Sequence, residues 1–84
     1  MIRESEMMHK KREKFLELAE KRVNNAIKQI QLIGNLSNPI NYEFEEADCQ
    51  KIFKAIDLEV RAMKRKFSEN SQKAKGKFTL RGDN

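Results

Sequence analysis

The fold of this chain is decided by residues 49–67, whose sequence is CQKIFKAIDLEVRAMKRKF. Apolar residues recur in this stretch at intervals of three and four, the spacing that keeps side chains on one face of an α-helix. The resulting stripe consists of Cys49, Phe53, Ile56, Val60, Met63 and Phe67. Acidic residues precede the stretch and basic residues end it, which is the charge order that the helix dipole favours. The pattern predicts a second helix over residues 45–68.

An earlier stretch of the chain has the same periodicity and predicts a first helix over residues 5–33. Its apolar stripe consists of Leu16, Ala19, Val23, Ala26, Ile30 and Ile33. Good helix formers fill the positions between them. Gly34 stands where a helix that ends at Ile33 would need a residue in the left-handed conformation.

Residues 34–44 are expected to form an ordered loop that reverses the chain. They are rich in turn formers, including Asn38 and Pro39, and their apolar residues would fold over the end of a bundle. The fold class is therefore all-α, an antiparallel two-helix hairpin over residues 1–68. Residues 69–84 are polar and poor in large apolar groups, so they are predicted to be a flexible basic tail.

Each apolar stripe is wider than a seam between two helices can cover, because Phe15, Ile27, Ile52 and Ala55 flank the central positions. A second copy of the chain would cover the remainder, which predicts a homodimeric four-helix bundle. A hairpin docked on a larger, different protein is the alternative. The expected interface residues are Val23, Ala26, Ile30, Phe53, Ile56, Val60 and Met63.

The composition bounds the class of protein. The chain has 84 residues with a net charge of +5, only three Gly and one Pro, and one cysteine, Cys49, which excludes an internal disulfide. No apolar run has the length of a membrane span, and the beginning of the chain lacks the apolar core of a secretory signal. A cytoplasmic protein without membrane contact is expected. No catalytic constellation, metal-ligand spacing or phosphate-binding loop is present, so we expect no enzyme, cofactor, metal or small-molecule substrate.

Charge is distributed unevenly along the chain. Residues 35–48 carry −4, whereas residues 49–68 carry +4. An antiparallel hairpin would gather two basic segments and the tail at one end, opposite an acidic turn. The candidate polyanion-binding residues are Lys10, Lys11, Arg12, Lys14, Arg61, Lys64, Arg65 and Lys66. They indicate nucleic acid held through its phosphates, or an acidic protein surface. Solvated helix faces and favourable helix termini explain the same charges without any partner.

Three segments resemble small uncharacterised helical proteins of bacteria, phages and mobile elements. The segments are Lys21–Lys28, with sequence KRVNNAIK, Leu32–Asn38, with sequence LIGNLSN, and Tyr42–Phe44. They cover about the middle of the chain, and the resemblance brings no assigned activity. It implies a second possible function, that of a small phage-type inhibitor or modulator that binds a host protein or nucleoprotein.

Overall fold

A computed structural model describes the backbone of residues 4–75 and the side chains of residues 9–71. Helix α1 runs over Glu4–Gly34 and helix α2 over Glu46–Lys75, and a 3-10 turn at Asn35–Ser37 follows α1. Residues 4–75 contain no β-strand. The all-α prediction, with two long helices, is confirmed. The chain divides into two compact units, Met1–Glu43 and Phe44–Asn84, and each unit contains one of the helices.

The end of α1 corrects one expectation. Gly34 has φ −59° and ψ −31°, a right-handed helical conformation, so the predicted left-handed helix end at this glycine is wrong. The chain tightens instead into the 3-10 turn and leaves it at Asn38, which is extended with φ −74° and ψ 106°. The residue before a proline is disfavoured in the helical region, so Pro39 moves the stop to Asn38.

A compact turn follows Asn38. Its side-chain Oδ1 accepts a hydrogen bond from the backbone N–H of Ile40 at 3.0 Å. Its carbonyl oxygen accepts bonds from the N–H groups of Asn41 at 3.2 Å and Tyr42 at 3.0 Å. Pro39 fixes φ at the second turn position, where such turns favour proline. Asn38 thus satisfies three backbone donors just after the end of α1.

Acidic groups organise the first turn of α2. Asp48 Oδ2 accepts a hydrogen bond from the backbone N–H of Glu45 at 2.9 Å. The carbonyl of Glu45 accepts from the N–H groups of Asp48 at 3.0 Å and Cys49 at 3.3 Å. Gln50 Nε2 donates to Glu46 Oε1 at 2.8 Å one turn further on. Glu46 and Asp48 lie where the positive end of the helix dipole stabilises carboxylates.

Helix α2 is longer than its apolar stripe. The sequence places the end of the second helix at Ser68, but α2 continues to Lys75. Residues 69–75 contain neither Gly nor Pro, and Glu, Gln, Lys and Ala are good helix formers, so the helix continues without an apolar face. Part of the predicted tail is therefore helical. The rest of that tail, residues 76–84, lies outside the described residues.

The apolar stripes of both helices are open to solvent. No side chain within residues 9–71 is fully buried. On α1, Val23 is 54% exposed, and on α2, Phe53 is 56% exposed. Ile33, Cys49, Ile56 and Val60 are half-buried. Among residues 4–75, no helix combines the length and the apolar character needed to cross a membrane.

Candidate functional site

The four basic residues predicted on α1 do not share one face. Lys10 and Lys14 are separated by four residues and therefore lie one above the other on the helix surface, whereas Lys11 and Arg12 point in other directions. The Arg12 guanidinium carbon lies 5.7 Å from the centre of the Phe15 ring, within the range of a cation–π contact. Arg12 therefore lies on the face of the apolar stripe, about half a turn around the helix from Lys10.

Two lysines absent from the predicted site extend the face of Lys10 and Lys14. Lys21 and Lys28 follow at intervals of seven residues, which is close to two helical turns. At 3.6 residues per turn, the four positions fall within about 40° of one another around the helix axis. We call Lys10, Lys14, Lys21 and Lys28 the α1 basic row. Its length along the axis is about 27 Å at 1.5 Å per residue.

The α1 basic row lies about half a turn around the helix from the apolar stripe. All four lysines are exposed. Among residues 9–71, the side-chain contact between a basic and an acidic residue joins His9 Nε2 to Glu13 Oε1 at 2.9 Å. None of the four ammonium groups has such a carboxylate partner within that range. The charges of Lys14, Lys21 and Lys28, whose neighbours one turn away all lie within residues 9–71, are therefore available to an external anion.

Acidic side chains border the α1 basic row on one side. Glu17 is the nearest, about 35° from the centre of the row, and Glu20 is about 95° away. Glu13 lies in the same acidic line and is engaged with His9. The positive face is thus narrow, a single line of lysines rather than a broad patch.

Helix α2 carries a similar arrangement. Lys54, Arg61 and Arg65 fall within about 40° of one another, opposite the apolar stripe of α2, and all three are exposed. We call them the α2 basic row. Lys64 and Lys66, which the sequence analysis grouped with Arg61 and Arg65, are exposed but lie on two other faces of the helix. Counting charges by segment therefore joined residues that the helix separates.

The predicted interface residues retain large exposed surfaces. On α1, Ala26 and Ile30 are exposed as well as Val23, and on α2 Met63 is exposed while Ile56 and Val60 are half-buried. An open recess runs along the C-terminal half of the α2 stripe. Its lining residues are Glu59, Ala62, Met63, Lys66, Phe67, Asn70 and Ser71.

Other chemistry has little support within the part of the chain that the structure describes. No group of three or more His, Cys, Asp or Glu side chains in that part is arranged to hold a metal ion. Cys49 is a free, half-buried thiol in the α2 stripe. A free cysteine often serves as a small apolar side chain, and the position of Cys49 in the stripe fits that role.

Comparison with protein-family models, with curated proteins and with solved structures gives no match to this chain. The site therefore has to be interpreted from its own residues. Sequence reasoning missed Lys21, Lys28 and Lys54. The signal that would have found them is the same interval of three, four and seven residues that identified the apolar stripes, applied to the basic residues.

Proposed function

We propose that this chain is a non-catalytic helical interaction and regulatory module that binds nucleic acid. The observation that carries the proposal is the set of exposed basic side chains on both helices that have no ion-pair partner within residues 9–71. The net charge of +5 acts in the same direction. Lysine and arginine neutralise phosphates and release condensed counterions, which gives affinity that falls steeply as salt rises.

Binding of this kind selects little between sequences. Base recognition needs side chains that reach donors and acceptors at the base edges, usually from a helix placed in the major groove by a recognisable motif. The loop between α1 and α2 is longer than the short turn of a helix-turn-helix unit. We therefore propose that contacts to the phosphate backbone dominate.

We also propose that the two apolar stripes pack as an antiparallel hairpin and that two copies form a four-helix bundle. The exposure of the stripes supports this proposal, since soluble proteins rarely leave long contiguous apolar surfaces in water. The stripes are similar in length and are too wide for one partner helix each. A second copy supplies matching stripes through a two-fold interface.

A triple substitution tests nucleic-acid binding. Lys64→Gln, Arg65→Gln and Lys66→Gln together remove three charges from exposed positions and should leave helicity, measured by far-UV circular dichroism, unchanged. Retention on DNA or RNA at low salt should weaken. The matched control, Lys64→Arg, Arg65→Lys and Lys66→Arg, keeps every charge and should bind as the unmodified protein does.

Affinity purification with and without nuclease separates this proposal from its alternative. Loss of the associated material after nuclease treatment supports binding to nucleic acid. A stoichiometric complex with one host protein that survives nuclease favours the phage-type inhibitor or modulator instead. If the unmodified protein is not retained by any DNA or RNA at low salt, the nucleic-acid proposal is wrong.

A further inference from the structure

We infer that the α1 basic row is the binding surface for a nucleic-acid backbone. The phosphates would lie along the helix, on the face opposite the apolar stripe. This inference rests on the proposed function and relocates its site. The sequence alone indicates binding at one end of a hairpin. The row instead extends through Lys21 and Lys28 along most of α1, and it includes only Lys10 and Lys14 of the four residues first expected there.

The spacing of the row suits a linear anion. Its lysines follow one another at about 6 Å and then twice at about 10.5 Å along the helix axis. One strand of B-DNA advances 3.4 Å along the duplex axis per phosphate while it winds around that axis, so a straight row about 27 Å long meets only the few phosphates on the near side of the duplex. Lysine carries its charge as a point at the end of a flexible stem and adapts to such a lattice without a fixed register.

The placement opposite the apolar stripe favours nucleic acid over a membrane surface. A helix that lies on a membrane inserts its apolar face and uses lysines near the borders of that face to reach the headgroups. The lysines of the α1 basic row project away from the stripe, so they would face water in that orientation. With nucleic acid on the row, the stripe stays available to another helix, and both contacts are compatible.

The row also contains no arginine, whereas Arg12 and Arg22 lie on other faces of α1. Arginine forms paired bonds in fixed directions, while lysine makes mainly electrostatic contacts. The composition of the row therefore indicates sequence-independent binding that is sensitive to salt.

Two charge-matched double variants test the inference. Lys21→Gln with Lys28→Gln removes two charges from the row, and Lys11→Gln with Arg22→Gln removes two charges from a different face of α1, about a quarter turn from the row. Affinity for a labelled duplex of mixed sequence is measured by fluorescence anisotropy over a range of salt concentrations. Each lost phosphate contact reduces the magnitude of the slope of log K against log salt by about 0.9. The magnitude should therefore fall by about 1.8 in the row variant and hardly change in the control.

The affinity of the row variant should fall roughly tenfold to a hundredfold at low salt relative to the unmodified protein. Equal losses in both double variants would show that only net charge matters, which overturns the row while leaving nucleic-acid binding intact. Absence of binding by the unmodified protein would remove the proposed function itself. The two failures are therefore distinguishable.

A second test looks for tighter binding, so that a loss of affinity caused by misfolding cannot be mistaken for support. Glu17→Gln removes the carboxylate nearest the row, and Glu20→Gln removes one that is remote from it. Glu17→Gln should bind the duplex more tightly than Glu20→Gln, because the local repulsion of phosphate is relieved beside the lysines. Equal affinities for these two variants would contradict the inference.

Discussion

The carboxylate of Asp48 accepts a hydrogen bond from the backbone N–H of Glu45, with 2.9 Å between Oδ2 and the nitrogen. This bond is one half of a capping box, in which the side chain of the third helical residue accepts from the backbone N–H of the N-cap residue, here Glu45. Glu45 is not among the residues that cap helices well with their own side chains. Asp48 therefore makes the main side-chain contribution to the start of α2.

Asp48→Ala should destabilise the first turn of α2. The substitution leaves the Glu45 N–H without its partner and removes a favourable charge from the positive end of the helix dipole, at a cost of about 1 kcal/mol. Denaturant titration followed by far-UV circular dichroism measures the change. Asp48→Asn retains an acceptor oxygen without the charge, so it should lose less. Equal stability of all three proteins would mean that the bond contributes nothing.

Asn38→Ala should loosen the turn that follows α1. The variant loses the 3.0 Å bond from Ile40 to Asn38 Oδ1 and keeps the carbonyl bonds from Asn41 and Tyr42. Amide hydrogen exchange, read by NMR, should therefore accelerate at Ile40 and change less at Tyr42. Asn38→Asp restores the acceptor and should restore protection. Unchanged exchange at Ile40 would show that the side-chain bond does not protect this amide.

The helices were predictable because their apolar stripes are long and regular. The predicted first helix, residues 5–33, compares with Glu4–Gly34, and the predicted start at residue 45 compares with Glu46. The end of α2 was harder to predict from the sequence, because the apolar stripe stops at Phe67 whereas residues 69–75 still have high intrinsic helix propensity. The left-handed conformation expected at Gly34 did not form because the helical backbone continues through Gly34 into the 3-10 turn, and the stop comes at Asn38, directly before Pro39.

The candidate site was only partly predictable. Segment charges located Lys10, Lys14, Arg61 and Arg65, which lie on the two basic rows, but could not separate them from neighbours on other faces. A helix distributes consecutive residues around its axis, so a cluster in sequence such as Lys64, Arg65 and Lys66 is not a cluster in space. Lys21 and Lys28 were missed because they are isolated in the sequence and become neighbours of the row only through the helical repeat.

Ile56→Lys should weaken the proposed dimer. Ile56 is half-buried in the α2 stripe, and a charge placed there would have to be desolvated when a second copy packs on that stripe. Sedimentation velocity should shift from dimer toward monomer at equal protein concentration. Leu58→Lys is the matched control, because Leu58 is exposed on the opposite face of the same helix. Loss of the dimer in both variants, or a monomeric unmodified protein, would contradict the four-helix bundle.

The faces of α2 can be compared with variants of equal charge. Arg61→Gln with Arg65→Gln empties most of the α2 basic row, while Lys64→Gln with Lys66→Gln removes two exposed charges from other faces. If phosphates bind along the row, the arginine variant should lose about 1.8 from the slope of log K against log salt, and the lysine variant should lose much less. Anisotropy titrations of one duplex at several salt concentrations give both slopes.

The same pair of α2 variants distinguishes binding at the basic end of a hairpin from binding along one face of the helix. Lys64 and Lys66 lie at nearly the same level along the axis as Arg65, so a site formed by this whole level of α2, without regard to the face, would use all of them. Similar losses in the two double variants would therefore support binding at the basic end of a hairpin. A selective loss in the arginine variant requires a directional surface, because both variants have the same net charge and differ only in the faces from which it was removed.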